Sequence, residues 1–290
     1  MIPPVFDYHA PRSVGEAISL LGSLGPDAKL LAGGHSLLPM MKLRFAQPAH
    51  LVDLNRIDAL RGIEQVGDEI RIGAMTTEHQ ILNSPLLAGK VPLLVEGAGW
   101  IADPQVRYRG TIGGDISHGD PGNDHPALML ALDASFVLQG PEGERVVKAD
   151  GFFLGLYSTL LEPNEILTQI RIPIPPAGTG WSYRKLKRKT GDFATAATAA
   201  LLRLQDGKVA HASIALTNAG PAAIKVRDAE AHLIGKPFDE AAVAEAARLA
   251  MAASEPMADQ RGDEAYKRAM CGEMTRRALR AAYDRALQGR

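Results

Sequence analysis

Apolar positions recur at helical spacing over residues 13–24, which predicts an amphipathic helix near the start of the chain. A Ser-x-x-Glu capping box opens this segment, and Gly25-Pro26 ends it. A short apolar strand over 28–32 then runs directly into Gly33-Gly34, and a helical turn is predicted over 39–43. The order strand, glycine loop, helix lets a backbone approach a ligand closely, so this part of the chain is a candidate binding site.

Alternating and continuous apolar runs predict the remaining elements. Gly67-Asp68 lies between two alternating segments and predicts a β-hairpin over 63–74. Further elements are predicted as strands over 50–55, 135–139, 145–148 and 166–172, helices over 77–83, 86–101 and 127–132, and a three-stranded meander over 181–189, 195–204 and 209–218. The chain beyond the meander is rich in alanine and is predicted to be helical.

A Pro- and Gly-rich stretch over 173–180 separates these elements into two groups. We therefore expect an N-terminal domain over 1–176, with subdomains over about 1–55 and 56–176, and a C-terminal domain of sheet and helices over 177–290. No internal repeat or low-complexity tract competes with this division.

Composition and charge narrow the classes of function. Hydrophobic residues make up 46% of the 290 residues and charged residues 22%, as in an ordinary globular protein. With 32 Lys and Arg against 33 Asp and Glu, the formal net charge is -1, so no overall field attracts nucleic acid. The amino terminus lacks a signal-peptide pattern, and no run of roughly 18 apolar residues occurs. We therefore expect a cytoplasmic protein without a transmembrane segment.

The chain contains a single cysteine, Cys271. One thiol can form neither an internal disulfide, nor a four-cysteine zinc site, nor an iron–sulfur cluster, so any such centre must lie in another chain. Cys271 falls on a predicted amphipathic helix, where a lone thiol usually packs. The sequence also lacks a Gly-x-Ser-x-Gly nucleophile motif, and we predict no catalytic residue in this chain.

Two glycine-rich segments, 33–36 (GGHS) and 110–115 (GTIGGD), are candidates for ligand binding. Consecutive N–H groups in such segments can hold phosphate oxygens without a basic side chain. Neither segment matches the G-x-G-x-x-G or the P-loop pattern, and each alone is more typical of a tight turn. Two such pairs, each after an apolar segment and each followed by a small polar residue, favour a dinucleotide site.

The polar loop HGDPGNDH has two interpretations. Its two histidines and two of its aspartates, His118, Asp120, Asp124 and His125, are residue types that ligate divalent metals. The central Pro-Gly forces a turn, however, and no i, i+4 histidine pair fixes the ligand geometry. These features favour a polar loop that borders a ligand, and we predict no metal site.

Residues 184–189 (RKLKRK) form a basic run on a predicted strand, so Lys185, Lys187 and Lys189 would share one face. Such a run is usually a solvated edge that discourages aggregation. The functional alternatives are a lysine beside a flavin or phosphate and a docking strip for an acidic partner. Phe193 follows just past the strand, where it either covers a planar cofactor or fills the core.

Two longer stretches, 31–42 (LAGGHSLLPMMK) and 101–115 (IADPQVRYRGTIGGD), resemble the two flavin-binding signatures of the medium subunits of molybdenum hydroxylases. The resemblance extends through 150–153 (DGFF) and 185–192 (KLKRKTGD) to 214–218 (IALTN), and so covers essentially the whole chain. Within that family, the overall likeness is greatest to the aerobic carbon monoxide dehydrogenases.

The resemblance implies an α+β fold of the vanillyl-alcohol-oxidase (VAO/PCMH) type, in which two α/β subdomains clasp FAD and a C-terminal antiparallel sheet carries helices. It assigns the FAD pyrophosphate to the two glycine segments and the rest of the cofactor to single side chains. The residues implied in cofactor binding are Ala32, Gly33, Gly34, His35, Ser36, Thr111, Ile112, Gly113, Gly114, Asp115, Asp124, Leu167, Lys185, Lys187 and Phe193. Family members often carry Tyr or Trp at the last position, so Phe193 keeps the apolar cover without the polar tip.

The function implied by the resemblance is that of an electron conduit. A large subunit would oxidise substrate at a molybdenum and copper centre, and a small subunit would pass electrons through two 2Fe–2S clusters to FAD in this chain. A quinone or similar acceptor would then receive them from a dimer of heterotrimers in the cytoplasm, at the inner face of the cytoplasmic membrane. The lone cysteine fits this division of labour, and the chain's own work would be to bind, orient and tune the flavin.

Other interpretations stay open at this point. Three come from other classes: a self-standing FAD oxidase, a metal-dependent hydrolase built on the loop HGDPGNDH, and a non-catalytic assembly module. Within the family, the alternative is the medium subunit of a hydroxylase that acts on an aromatic, N-heterocyclic or aldehyde substrate. The sequence does not separate these substrates, because the large subunit selects them.

Overall fold

Three sheets and a small hairpin organise the protein, whose computed structural model describes residues 2–289. The strands, in chain order, are β1 (Asp7–His9), β2 (Ala28–Leu31), β3 (His50–Asp53), β4 (Ile63–Val66), β5 (Glu69–Gly73), β6 (Ser135–Gly140), β7 (Gly143–Lys148), β8 (Phe153–Gly155), β9 (Ser158–Thr159), β10 (Ile166–Pro173), β11 (Thr179–Leu186), β12 (Ala196–Gln205), β13 (Lys208–Thr217) and β14 (Ile224–Lys225). The helices are α1 (Val14–Leu24), α2 (Leu37–Lys42), α3 (Glu78–Leu82), α4 (Pro85–Lys90), α5 (Pro92–Trp100), α6 (Pro104–Arg107), α7 (Ile112–His118), α8 (Asp124–Ala131), α9 (Arg227–Leu233), α10 (Glu240–Ala253) and α11 (Glu264–Leu287).

The first sheet is parallel, with strand order β1-β3-β2. Helix α1 covers it, because Ala17, Ile18 and Leu21 recur at helical spacing and pack in one cluster with Val52 of β3. Strand β2 ends just before residues 33–36, and α2 begins directly after them. The predicted order strand, glycine loop, helix is therefore confirmed.

The second sheet is antiparallel, with strand order β4-β5-β10-β6-β7. Strands β4 and β5 form the predicted hairpin, and Gly67 in its turn has a φ of +60°. Six helices, α3 to α8, connect β5 to β6. The apolar side chains of the sheet, such as Ile70 and Phe136, form the main core with helical residues such as Leu94 and Leu128.

The third sheet is antiparallel, with strand order β11-β12-β13-β14, and both of its faces are buried. Along β12, Ala197 and Ala199 belong to the main core with α5 and α8. Ala196, Ala200 and Leu202 belong to a second core with α10 and α11. Because successive side chains of a strand point to opposite faces, this one run of apolar residues contributes side chains to both cores. The three strands of the predicted meander and the helices of the predicted tail are therefore confirmed as strands and helices.

One predicted boundary is wrong, and several short elements are missing from the prediction, in the part of the chain before β10. The helix predicted over 86–101 is two helices, α4 and α5, because Pro92 disfavours helical backbone at Val91. Strand β1, helix α6 and the hairpin β8–β9 have no counterpart among the predicted elements. All three are short, and their sequences carry too few periodic positions to predict an element.

Three further corrections concern the candidate site. Residues 112–115 form the first turn of α7 rather than a loop, with Thr111 as the N-cap. Helix α8 begins at Asp124, so Asp124 and His125 belong to this helix and not to the preceding loop. Strand β11 ends at Leu186, so the prediction that Lys185, Lys187 and Lys189 share one strand face is wrong.

No helix within residues 2–289 is both long enough and apolar enough to cross a membrane.

The close packing of α11 on β11 yields a first prediction, which concerns Gly180. A Cβ at this position would contact the Ala282 carbonyl oxygen and lie 2.5 Å from the Ala286 amide nitrogen, both in the backbone of α11. We expect Gly180→Ala to lower the free energy of unfolding by about 1–3 kcal/mol, because the helix must shift to admit the methyl group. Urea unfolding of the variant and the unchanged chain measures this difference.

The matched control for this prediction is Gly89→Ala in α4. A Cβ at Gly89 would meet no atom within 4 Å, so the substitution should raise stability by up to about 1 kcal/mol through helix propensity. Equal stability of the Gly180→Ala variant and the unchanged chain would contradict the close approach of α11 to β11.

Candidate functional site

The fold brings the two glycine segments into contact. A Cβ on Gly33 would contact the carbonyl oxygen of Arg109 and lie 2.8 Å from the Cα atom of Gly110, so no side chain fits there. A Cβ on Gly114 would lie 3.4 Å from the Cβ atom of Ala32. The segments therefore meet backbone to backbone, and glycine is required for this approach.

The first glycine segment presents a row of unpaired amides. Within residues 2–289, the N–H groups of residues 33–36 donate to no protein acceptor. Gly34 has a φ of +77°, in the left-handed region that favours glycine. The imidazole of His35 turns back on the segment, where Nδ1 donates to the Gly33 carbonyl oxygen at 3.0 Å. Such a row of amides is suited to bind a diphosphate.

The second glycine segment differs, because the amides of residues 112–115 are already paired. The N–H groups of residues 112 and 113 donate to the carbonyl oxygens of residues 76 and 74, at 3.1 and 2.9 Å. Those of Gly114 and Asp115 donate to Thr111, at 3.2 Å to Oγ1 and 3.0 Å to the carbonyl oxygen. Within residues 2–289 the Thr111 amide donates to no protein acceptor, so this segment offers a ligand one amide beside its side chains and carbonyl oxygens.

Asp124 lies at the centre of a buried polar network. Its Oδ1 atom accepts a hydrogen bond from the Tyr183 hydroxyl at 2.5 Å, and its Oδ2 atom pairs with Nζ of Lys185 at 2.7 Å. The Asp124 and Lys185 side chains are only 5% and 2% exposed. The Tyr183 oxygen also lies 3.1 Å from Oγ1 of Thr217. This network joins α8 to β11 and β13.

A second buried pair lies beside the network. Nε2 of His125 donates to Oε2 of Glu78 at 2.8 Å, and both side chains are almost fully buried. Burial alone would lower the pKa of His125, but the carboxylates of Glu78, Asp115 and Asp124, with Glu78 the strongest, more than offset this effect and raise it to about 9. Burial raises the pKa of Asp115 to about 8, and its Oδ1 atom has no partner in the described chain.

Phe193 is 46% exposed, so the alternative that it fills the core is wrong. Its ring lies against Gly122, where an added Cβ would be 3.4 Å from Cδ1 of Phe193, and the Arg261 guanidinium lies 5.8 Å from the ring centroid. This aromatic face is accessible to a planar ligand. Leu167, by contrast, is buried in the main core at a bulge of β10.

The three lysines of the basic run occupy different environments. Lys185 is buried, Lys187 is half-buried with Nζ 5.0 Å from the centroid of the Trp100 ring, and Lys189 is exposed. Burial and the positive charge of Lys185 lower the pKa of Lys187. The run is therefore not a uniform solvated edge, because Lys185 lies inside the polar network.

The four potential metal ligands of the loop HGDPGNDH are not assembled. Asp124 pairs with Lys185, and His125 pairs with Glu78, as described above. The His118 ring packs on a tyrosine ring with the centroids 4.9 Å apart, and Asp120 accepts from the amide of Gly122 at 2.8 Å. Across the described chain, no group of three or more His, Cys, Asp and Glu side chains is placed to hold a metal ion.

Sequence reasoning missed Tyr183, Thr217 and Glu78 as members of the site. One signal was available for Tyr183, since residues 183 and 185 lie two apart on a strand and therefore share a face. Nothing comparable marks Glu78 or Thr217, because their roles depend on elements that are distant in the chain. Cys271 is buried, and burial raises its pKa to about 11, which fits a packing role.

Comparisons with known proteins match both halves of the chain. Residues 4–175 match the family model of the FAD binding domain in molybdopterin dehydrogenase, and residues 181–282 match that of the CO dehydrogenase flavoprotein C-terminal domain. The chain is 60% identical over 285 residues to the carbon monoxide dehydrogenase medium chain of Hydrogenophaga pseudoflava, covering 98% of this chain and 99% of that one. It is 51% identical over 286 residues to the medium chain of Afipia carboxidovorans, with 99% of each covered.

A solved structure gives the same result. It is carbon monoxide dehydrogenase from Hydrogenophaga pseudoflava that lacks the Mo-pyranopterin moiety of the molybdenum cofactor. The chain is 62% identical to one of its chains, with a TM-score of 0.98, and the match covers 98% of this chain and 99% of that one.

The His125–Glu78 pair generates a second prediction, which concerns pH. The folded state binds a proton on His125, with a pKa of about 9, that the unfolded histidine releases near its ordinary value of 6.5. This contribution to stability is full below about pH 6.5 and is lost as the pH rises to about 9, a change on the order of a few kcal/mol. Thermal unfolding measures this difference. Between about pH 6.5 and pH 9, the melting temperature of the unchanged chain should fall more steeply than that of His125→Gln.

Parallel stability curves for the two proteins would contradict a charged His125 in the fold.

Proposed function

The chain belongs to the family of FAD-binding medium subunits of molybdenum hydroxylases, and from that membership we propose that it serves a complex that oxidises carbon monoxide. FAD is the cofactor of this chain, and the chain is the flavin subunit of an oxidoreductase complex. The observation that carries the choice of carbon monoxide is the 60% identity, over nearly the whole of both chains, to a carbon monoxide dehydrogenase medium chain.

The residues at the junction of the glycine segments fit FAD. We assign its pyrophosphate chiefly to the unpaired amides of residues 33–36. These amides lie where the backbone of Gly33 meets that of Gly110 and no side chain fits. The buried, unpartnered Oδ1 atom of Asp115 can accept a hydrogen bond from a cofactor hydroxyl. The full set proposed for FAD binding is Ala32, Gly33, Gly34, His35, Ser36, Thr111, Ile112, Gly113, Gly114, Asp115, Asp124, Leu167, Lys185, Lys187 and Phe193.

When bound, FAD supplies redox chemistry that links the iron–sulfur clusters of a partner subunit to an electron acceptor. The chain's own residues bind and orient this cofactor. The exposed ring of Phe193 offers an apolar cover for a planar group, and the buried Lys185 ammonium supplies a fixed positive charge. No residue of this chain is asked to act as a nucleophile, acid or base.

The partners follow from the same family. A large subunit with the molybdenum and copper centre oxidises the substrate, and a small subunit carries two 2Fe–2S clusters, since the single cysteine of this chain cannot hold them. We propose a dimer of heterotrimers that delivers electrons to a quinone or similar acceptor at the inner face of the cytoplasmic membrane. Within the chain, we propose that residues 1–176 hold FAD and that residues 177–290 support it from the third sheet.

A third prediction tests the substrate. The visible absorption spectrum of the complex, purified from its native host, should show flavin and iron–sulfur bands that bleach on exposure to carbon monoxide, because electrons from the substrate reduce both kinds of centre. A sample exposed to argon is the control and should keep its bands. Bands that carbon monoxide leaves unchanged would indicate that the complex oxidises an aromatic, N-heterocyclic or aldehyde compound instead. A colourless preparation would contradict the presence of a flavin.

A fourth prediction tests the place of FAD. Gly33→Val and Gly114→Val should each abolish flavin retention. The side chain added at position 33 meets the Gly110 backbone, and the one added at position 114 is directed toward Ala32, so each forces the two segments apart. Cys271→Ala should retain flavin, since Cys271 is buried in the helical core of the C-terminal part. The flavin-to-protein absorbance ratio of the purified complex measures all three. Stoichiometric FAD in either glycine variant would overturn the assignment, and its loss in Cys271→Ala would give the C-terminal helices a larger role.

A further inference from the structure

Four buried side chains form one continuous polar chain across the molecule. The hydroxyl of Thr217 lies 3.1 Å from the Tyr183 oxygen, the Tyr183 hydroxyl lies 2.5 Å from Oδ1 of Asp124, and Oδ2 of Asp124 lies 2.7 Å from Nζ of Lys185. Thr217 and Tyr183 are fully buried, and the other two are nearly so. The chain therefore lies in a low-dielectric interior, where the position of each proton and charge matters.

The chemistry of the groups fixes the direction of these hydrogen bonds. A carboxylate that pairs with an ammonium only accepts, so the Tyr183 hydroxyl must donate to Asp124. Burial, reinforced by the negative charge of Asp124, raises the pKa of Tyr183 well above its ordinary value, so this hydroxyl keeps its proton. The tyrosine oxygen then accepts from Thr217, and the order of donation is Thr217 to Tyr183 to Asp124.

At the other end, Asp124 holds the ammonium of Lys185. An ammonium has three N–H donors. One donates to Asp124 at 2.7 Å and a second reaches the carbonyl oxygen of Trp100 only at 3.4 Å. Within residues 2–289 the third has no acceptor, although the side chain is only 2% exposed. A buried ammonium with an unused donor is suited to a polar ligand atom.

We propose that Tyr183 is a positioning residue for the flavin, which acts through Asp124 to fix the Lys185 ammonium beside the cofactor. This inference rests on the proposed function, because it places FAD at the same junction. By donating to Oδ1, Tyr183 keeps that oxygen occupied, so the ammonium stays at Oδ2, where its unused N–H would be available to the cofactor. A fixed positive charge near the flavin ring favours its reduced, more negative form and so tunes its potential.

Tyr183→Phe tests this role, because it removes the hydroxyl and keeps the ring that fills the core. With Oδ1 unoccupied, the carboxylate draws the ammonium toward itself and away from the flavin. In the assembled complex we expect the dissociation constant for FAD to rise at least tenfold. The flavin absorption maximum should shift, and the flavin reduction potential should become more negative. Spectroelectrochemical titration of the purified complex, with added FAD where needed, measures the last two quantities.

Two controls separate positioning from a general loss of stability. Thr198→Val removes a hydroxyl from a different buried pair, Thr198 of β12 in the same sheet with Thr275 of α11, whose oxygens are 3.2 Å apart. Like Tyr183→Phe, Thr198→Val should lower thermal stability. Unlike Tyr183→Phe, it should leave the flavin spectrum and reduction potential unchanged. Thr217→Ser keeps the first donor of the chain and should match the unchanged protein, whereas Thr217→Val should shift the potential in the same direction as Tyr183→Phe.

The outcomes distinguish the two proposals. If the unchanged complex holds no flavin, the proposed function fails. If it holds flavin and Tyr183→Phe keeps the same potential, spectrum and affinity, the positioning role alone is overturned. An equal spectral change in Thr198→Val would also overturn it, because the effect would then be one of stability.

Discussion

The ion pair of Asp124 and Lys185 is the interaction on which the site depends, because it joins α8, from the first half of the chain, to β11, from the second. Burying a carboxylate and an ammonium is costly unless each is paired and hydrogen-bonded. Here the Tyr183 hydroxyl occupies the second oxygen of the carboxylate. Removing one partner would leave an uncompensated buried charge, at a cost of about 3–5 kcal/mol. Hydrophobic contacts are not directional, whereas an ion pair at 2.7 Å requires one placement of α8 against β11.

A second constraint is steric, and it acts through positions where a side chain is absent. Gly33 permits the two glycine segments to meet, and Gly113 brings the start of α7 against Ala74, where a Cβ would lie 2.6 Å from the carbonyl oxygen. In this geometry the amides of residues 112–115 find acceptors within the chain, while those of residues 33–36 do not. The two glycine pairs look equivalent in sequence, but one serves the packing of the protein and the other is available to a ligand.

The sequence predicts the type of most long elements, because apolar periodicity and glycine or proline boundaries are local properties. The two glycine segments predict a dinucleotide site from the residues alone, whereas the assignment to FAD and the role of Asp124 come only from a resemblance. These residues remain proposals for cofactor contact. What it misses depends on distant parts of the chain. The pattern alone favours a solvated basic edge for Lys185, and only the fold shows that its side chain is 2% exposed and paired with Asp124. Glu78 is a first-turn helix residue like many others, and only the fold places it 2.8 Å from His125.

The same reasoning explains why this chain carries buried charges and no catalytic acid, base or nucleophile in its proposed role. A subunit that transfers electrons needs a cofactor held in a fixed orientation and a defined electrostatic environment, and both are provided by groups that do not react. In that proposed role, another subunit selects the substrate, and the flavin site of this chain does not contact the oxidised molecule. The features under constraint in this chain are therefore the close approach at Gly33 and the charges around Asp124. Neither feature depends on which substrate supplies the electrons.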